Sequence, residues 1–161
     1  MPLGGRRLIL PTPILSEVVV EVDGRRARAL FRVEGDGTAG DVHVGYVGGE
    51  ELALTLGAGG WEPAGGVFLP RLQSLLATLE RQRAAAAARD AVTLAGLALD
   101  PGSVKPAGLT ADPVPLRAYF IRVEGDRATV SEVDGPTEKP ITRRMELQRG
   151  KDGWRFASGL L

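Results

Sequence analysis

The sequence contains no cysteine and a single histidine, His43, among its 161 residues. Without cysteine the chain cannot form a disulfide, bind a metal through thiolates or carry out thiol redox chemistry. One imidazole leaves little material for a metal site or for acid-base catalysis. The sequence therefore predicts no catalytic residue, no metal ligand, no cofactor-binding residue and no bound cofactor.

Net charge and long apolar runs are lacking as well. Twenty basic residues balance twenty acidic ones, so no long-range field attracts a polyanion or an anionic membrane. The apolar run at residues 8–10 ends at Pro11 and is too short for a secretion signal. No later run approaches the roughly 18 apolar residues of a membrane-spanning helix. We therefore expect a cytoplasmic protein without a membrane partner.

The hydrophobic residues, 43% of the chain, supply enough apolar surface for one core. The expected fold class is α+β, with two antiparallel four-stranded β-meanders packed with one long central helix. The expected organisation is a single domain of residues 1–161. Its predicted parts are a first meander at about 14–61, a helix at about 68–96, a connecting loop at about 100–115 and a second meander at about 116–159.

Alternating apolar and polar residues, separated by turn residues, define the strands. Asp23-Gly24 predicts a tight hairpin turn, residues 35–40 predict a loop, and Gly48-Gly49 predicts a further turn. The predicted strands are residues 16–23, 25–34, 41–47 and 51–56 in the first meander, and 116–124, 127–133, 141–149 and 154–158 in the second.

The spacing of the apolar residues changes after residue 67, from strand-like alternation to the spacing of a helix. Pro70 suits the first turn of a helix, and four leucines follow at helical spacing, which predicts one buried helix face. These are Leu72, Leu75, Leu76 and Leu79. The alanines of residues 84–88 prolong this pattern, so the sequence predicts one continuous helix.

A five-residue string occurs twice. Residues 32–36 and residues 122–126 both read Arg-Val-Glu-Gly-Asp, and a Gly-Trp pair follows each copy, ending at Trp61 and at Trp154. An internal duplication would explain both matches and would place the two tryptophans at equivalent core positions. The alternative is that one good strand-end and turn sequence is used twice.

Two glycine-rich strings do not have the context of a phosphate site. Gly35-x-Gly37-x-x-Gly40 matches the dinucleotide fingerprint, but the residues after it alternate as a strand and offer no helix N-terminus to a phosphate. The string at residues 57–60 lacks the Lys-Ser/Thr pair of a phosphate-binding loop. Both strings are interpreted as loops.

His43 and two acidic groups are interpreted as surface features. His43 is predicted on a solvent-facing strand surface with Asp41, because no oriented nucleophile accompanies it. The first acidic group fits no calcium-loop spacing, and the second lies near no predicted cleft that would make it a pair of catalytic carboxylates. The two groups are Glu34, Asp36 and Asp41, and Glu132, Asp134 and Glu138.

Arginines alternate along the second predicted strand and form a basic row. Arg26, Arg28 and Arg32 share one strand face, and the repeat places Phe120 and Arg122 on an equivalent face. Guanidinium groups beside an exposed aromatic ring are typical of single-stranded nucleic-acid binding. The competing interpretation is a solvated face on which nearby carboxylates pair with the arginines.

Three functions remain open. The first is a non-catalytic binding or assembly protein that acts through protein-protein contacts and self-associates, since strand edges and a long helix offer association surfaces. The second is a single-stranded nucleic-acid-binding protein that uses the arginine and aromatic face. The third is a small-molecule-binding domain or enzyme with a pocket in a curved sheet.

Overall fold

The computed structural model describes residues 2–3, 6–104 and 115–160. Within these residues the chain forms one ten-stranded, mostly antiparallel sheet and two α-helices, which confirms the α+β class. The strands are β1 Pro2–Leu3, β2 Arg6–Ile9, β3 Ile14–Asp23, β4 Arg26–Ala39, β5 Val42–Gly57, β6 Gly60–Pro63, β7 Leu116–Glu124, β8 Arg127–Asp134, β9 Ile141–Gly150 and β10 Gly153–Ser158. The helices are α1 Phe68–Ala87 and α2 Ala91–Leu97, followed by a short 3-10 helix, Pro101–Ser103.

The sheet is continuous from one half of the chain to the other. Its main path runs β1-β2-β4-β5-β7-β8-β9-β10, with β3 beside β4 and β6 beside β5. The parallel pairing of β5 with β7, from His43 opposite Ala118 to Gly48 opposite Val123, joins the two halves. Helix α1 covers one side, here called the inner face, and its predicted leucines Leu72, Leu75, Leu76 and Leu79 are all buried in the core.

Two predictions about the first half were wrong. Residues 35–39 continue β4, and β5 runs through Gly48-Gly49 without a turn, so the third and fourth predicted strands are one strand. The reversal occurs at Gly40, whose φ of +64° suits glycine. Gly48 serves close packing instead, because a Cβ there would overlap the carbonyl oxygen of Val123 and the ring of Phe68.

The internal duplication is not confirmed. Gly35 of the first copy lies inside β4, whereas Gly125 of the second copy forms the turn after β7 with a φ of +59°. The two tryptophans also differ, since Trp61 is 42% exposed and Trp154 is 3% exposed. The same five residues therefore adopt different conformations in different surroundings.

The prediction of one continuous helix was also wrong, because the structure has two. Arg89 has a φ of +53°, which interrupts the helical path. Asp90 then caps α2, since its carboxylate accepts hydrogen bonds from the Thr93 backbone N–H at 3.1 Å and from the Thr93 hydroxyl at 2.6 Å. An aspartate three residues before a threonine was therefore the sequence signal of a second helix. Residues 105–114 of the predicted connecting loop lie outside the described residues.

Candidate functional site

Half of the hairpin formed by β4 and β5 extends beyond the helices as an arm. Residues 26–33 of β4 pair with residues 48–55 of β5, while β3 flanks the first strand and β6 flanks the second. These four strands form the arm. Helix α1 packs against β5, β7 and β10, which leaves most of the arm outside the helix-covered part of the sheet.

The inner side of the arm is apolar along successive cross-strand rows. One row joins Val22, Ala27, Leu54 and Pro63, and the next joins Val20, Ala29 and Leu52. Leu56 opposite Trp61 extends the surface toward the arm tip. We call this surface the arm face; it consists of Val20, Val22, Ala27, Ala29, Leu52, Leu54, Leu56, Trp61 and Pro63.

No residue of the arm face is buried. Val20 and Val22 are 56% and 64% exposed. Strands spaced about 4.8 Å apart, with a rise of about 3.3 Å per residue, give this face a flat area of roughly 400 Å². Apolar patches of that size on soluble proteins are often functional, because exposed apolar surface is otherwise costly.

The opposite side of the arm is polar and internally paired. Arg28 contacts Glu21 at 2.7 Å and Glu51 at 3.3 Å, and Arg26 lies opposite Asp23. Two carboxylates thus pair with Arg28. The arm is therefore amphipathic, with charged residues on one side and an apolar side that is uncovered among the described residues.

A shallow groove of about 460 Å³ crosses the outer face of the sheet, where β5 meets β7. One cross-strand row runs along it: Asp36, Gly45, Phe120, Ser131 and Arg144 are successive partners on five strands. A neighbouring row contributes Glu34, Val47, Arg122 and Thr129. We call the site lined by these two rows the outer groove.

Phe120 is the central apolar group of the outer groove. Its ring is 49% exposed and lies over Gly45, where an added Cβ would come within 2.9 Å of the ring. The His43 ring packs beside it with centroids 5.6 Å apart, and His43 Nε2 lies 3.0 Å from Asp36 Oδ1. The His43 side chain is thus half-exposed and contacts Asp36 diagonally across the two strands, while its cross-strand partner is Thr38.

A third group of polar residues lies on the inner face beneath α1. Glu132 is 1% exposed and accepts hydrogen bonds from Arg83 at 2.9 Å and from Arg143 at 3.2 Å. Arg83 also donates to Asp134 at 3.0 Å, and Gln82 accepts a bond from Arg143 at 3.3 Å. We call these five residues the buried ionic cluster.

The environment of this cluster favours the neutral form of its central carboxyl. Desolvation, together with a hydrogen bond shared with Asp134, raises the pKa of Glu132 to about 7, while the two arginines oppose this increase. Tyr119 lies opposite Glu132 on β7, and burial raises the pKa of its hydroxyl. That hydroxyl has no hydrogen-bond partner among the described residues. The arrangement holds charges and a proton but shows no nucleophile.

Sequence reasoning missed the arm face and the buried ionic cluster. The alternation of Leu52, Leu54 and Leu56 places these side chains on one strand face, but it does not show whether another element covers that face. Glu132 shares a strand face with Ala128 and Val130, so its parity placed it inside the protein. That parity was the available signal for a buried carboxylate.

All five residues predicted to bind nucleic acid lie on the outer face, but they do not form one site. Arg26 and Arg28 belong to the polar side of the arm. Arg32 forms two contacts with Glu124, at 2.7 and 2.6 Å, and this hydrogen bonding lowers the pKa of Glu124. Only Phe120 and Arg122 line the outer groove.

Residues 2–3, 6–104 and 115–160 contain neither a metal-binding cluster nor a membrane-spanning helix. No group of three or more histidine, aspartate or glutamate side chains in this part of the chain is arranged to hold a metal ion. Neither described helix combines the length and the apolar character needed to cross a membrane.

Comparisons with known proteins give no family for this chain. No protein-family model matches the chain. No curated protein matches it either. Among solved structures, the chain is similar to an "Ntf2 like protein involved in plasmid conjugation", with 6% sequence identity and a TM-score of 0.39, over 96% of this chain and 77% of that one. A likeness of this degree carries no inference about function.

Proposed function

We propose that this chain is a non-catalytic assembly domain whose arm face binds the arm face of a second copy. The uncovered apolar arm face is the observation that carries the proposal. Val20, Val22 and Trp61 expose large side chains on the same side of a sheet whose other side is solvated and ion-paired. One-sided burial is the usual arrangement of an antiparallel sheet, so the missing layer calls for a partner.

A second copy is the occupant that this chemistry favours. The arm face carries no charged side chain, so it is complementary to itself in a two-fold arrangement. Two such faces pack as a β-sandwich about 10 Å thick, with their side chains interdigitated. The balance of twenty basic and twenty acidic residues leaves no net charge to repel a second copy.

The size of the face sets the expected strength. A footprint of roughly 400 Å² on each copy is at the small end for specific interfaces. We therefore expect reversible association with a micromolar dissociation constant rather than a permanent dimer. Such a dimer exchanges with monomer when the protein is diluted.

Adjacent valines on opposite sides of β3 provide a matched test. Val20 lies opposite Ala29 on the arm face, whereas Val19 lies opposite Leu30 on the polar side, and the two are 56% and 54% exposed. Sedimentation velocity over a range of concentrations should give a monomer-dimer equilibrium. Val20→Glu should weaken it at least tenfold, because dimerisation would bury the new charge, while Val19→Glu should change it by less than threefold.

Three results would contradict the proposal. The wild-type chain could remain a monomer up to millimolar concentration. Val20→Glu could leave the equilibrium unchanged in a protein that still folds, as judged by circular dichroism. Both variants could weaken association equally, which would indicate pairing of β3 edges instead of packing of faces.

A further inference from the structure

The outer groove presents three kinds of chemistry in one straight row. Asp36 stands at one end, the Phe120 ring lies at the centre and Arg144 stands at the other end, with Gly45 and Ser131 between them. Strand spacing places the Cα atoms of Asp36 and Arg144 each roughly 10 Å from that of Phe120, but the Asp36 carboxylate leans toward the ring, since both lie close to the Cβ position of Gly45. An anionic group, an exposed ring and a cationic group are thus fixed on alternate strands of one sheet.

Each of these groups is accessible. The Phe120 ring is 49% exposed. Arg122 and Arg144 have side chains 61% and 70% exposed, and the carboxylates nearest to them are 3.8 Å away in both cases. Such loose contacts of exposed groups contribute little energy, so an anionic ligand can displace them at low cost.

The groove is shaped by a residue that lacks a side chain. Gly45 lies between Asp36 and Phe120, and a Cβ there would approach both the ring and the Asp36 carboxylate, at 2.9 and 3.3 Å. The absent side chain therefore lets the ring and the carboxylate approach each other over the Gly45 backbone. The groove has a volume of about 460 Å³, which lies within the range of small-molecule sites.

We propose that the outer groove binds a nucleotide, with its base stacked on Phe120. The N–H donors of the base edge point to Asp36 and Glu34, and the phosphate lies toward Arg122 and Arg144. Aromatic side chains stack on bases of any identity, carboxylates accept hydrogen bonds from amino groups of bases, and guanidinium groups bind phosphate oxygens in pairs. Ser131 stands between Phe120 and Arg144 in the row, and Thr129 stands beside Arg122.

The balance of charge in the groove favours one nucleotide over a long polyanion. Glu34 and Asp36 offset Arg122 and Arg144, so the groove has no excess positive charge. The basic row that would track a phosphate backbone is also compensated, since Arg28 and Arg32 are held by carboxylates. A ligand with donors at one end and an anion at the other fits this bipolar site. This inference goes beyond assembly and does not depend on it.

Calorimetric and NMR titrations with GMP, UMP and a six-residue single-stranded oligonucleotide test the inference. Guanine carries two adjacent N–H donors on one edge and uracil has no amino group, so GMP should bind at least fivefold more tightly than UMP. Phe120→Ala should weaken GMP binding at least tenfold because the stacking surface is lost. Asp36→Ala should remove the preference for GMP over UMP while leaving stacking in place.

The matched control is Leu69→Ala, which truncates a side chain on α1 that is 45% exposed and lies outside the groove. It should leave GMP affinity unchanged. Equal affinity for GMP and for each site on the oligonucleotide would support a groove for one nucleotide. At least tenfold tighter binding of the oligonucleotide would contradict it and assign the groove to a strand. Absence of binding of either probe at millimolar concentration would overturn the inference, as would binding that Phe120→Ala does not affect.

Discussion

The ring of Phe68, the first residue of α1, lies against the backbone of Gly48 in the middle of β5. A Cβ at position 48 would overlap this ring and the carbonyl oxygen of Val123, whereas a Cβ at Gly49 would meet its nearest atom at an ordinary 3.8 Å. The first glycine of the pair is thus required for close packing, and the second is not.

We expect Gly48→Ala to lower the free energy of unfolding by roughly 1–3 kcal/mol, the usual cost of overpacking a core. Gly49→Ala should change it by less than about 0.5 kcal/mol. Urea denaturation followed by circular dichroism measures both values. Equal effects of the two substitutions would show that helix packing at position 48 is not the reason for the glycine.

Glu50 caps the N-terminus of α1 from a neighbouring strand. Its Oε1 accepts hydrogen bonds from the backbone N–H groups of Val67 at 2.6 Å and Phe68 at 3.1 Å. A carboxylate at this end of a helix also interacts favourably with the helix dipole. Glu50→Ala should therefore cost roughly 1–2 kcal/mol of stability, as the loss of a good cap does.

Glu51 provides the control for this substitution. Its carboxylate contacts Arg28 at 3.3 Å on the exposed side of the arm, and surface pairs of this kind contribute little. Thermal unfolding of Glu51→Ala should resemble that of the wild-type protein. A loss of stability as large as that of Glu50→Ala would argue against the capping role.

The stability of the protein should depend on pH through Glu132. Burial raises the pKa of this carboxyl in the folded state from 4.5 to about 7, so between these values the folded state holds a proton that the unfolded state has released. Stability is therefore fully present below the lower value and falls as pH rises through the upper one. We expect a decrease of roughly 1–3 kcal/mol between about pH 5 and about pH 8.

Denaturation at several pH values should show this decrease in the wild-type protein and its reduction in Glu132→Gln, which keeps the shape of the side chain but cannot titrate. Glu124→Gln serves as the comparison. Arg32 lowers the pKa of Glu124, so this group changes stability only below about pH 5, and the variant should retain the slope above it. A wild-type profile that rises from about pH 5 to about pH 8 would contradict the assignment to Glu132.

The two tryptophans report on separate parts of the molecule. Trp154 is 3% exposed and its indole N–H donates to the Ser74 hydroxyl at 3.0 Å, whereas Trp61 lies on the arm face and is 42% exposed. In Trp154→Phe, the remaining emission comes from Trp61 and should be quenched by iodide in dilute protein. Quenching should fall as the concentration rises, because a second copy would cover the arm face. Quenching that does not depend on concentration would count against the proposed dimer.

Local patterns were sufficient to predict the second half of the fold. The strands ending at Glu124 and Gly150 were correctly located because each is followed by a turn that favours glycine. Gly125, for example, has a φ of +59°. The buried face of α1 followed from the spacing of its leucines. These features depend on neighbours within a few residues, which the sequence displays directly.

Other features depended on contacts between distant residues. The Gly48-Gly49 pair resembles a turn until Phe68 and Val123 are placed beside it, and Glu132 resembles a surface acid until Arg83 covers it. For the outer groove, the sequence indicated Phe120 and Arg122 but could not bring Asp36 and Arg144 into the same row. Cross-strand register determines that row, and its central step pairs Gly45 with Phe120, which are 75 residues apart in the chain.

The sequence alone determined the α+β class, the absence of thiol chemistry and the alternating faces of the strands, since these follow from residue types and local periodicity. Only the tertiary structure decided which apolar faces became core and which remained uncovered. Burial depends on whether another element lies above a face, and α1 is long enough to cover one part of the sheet but not the arm. For that reason Trp154 lies in the core, while Trp61 remains on a surface available to a partner.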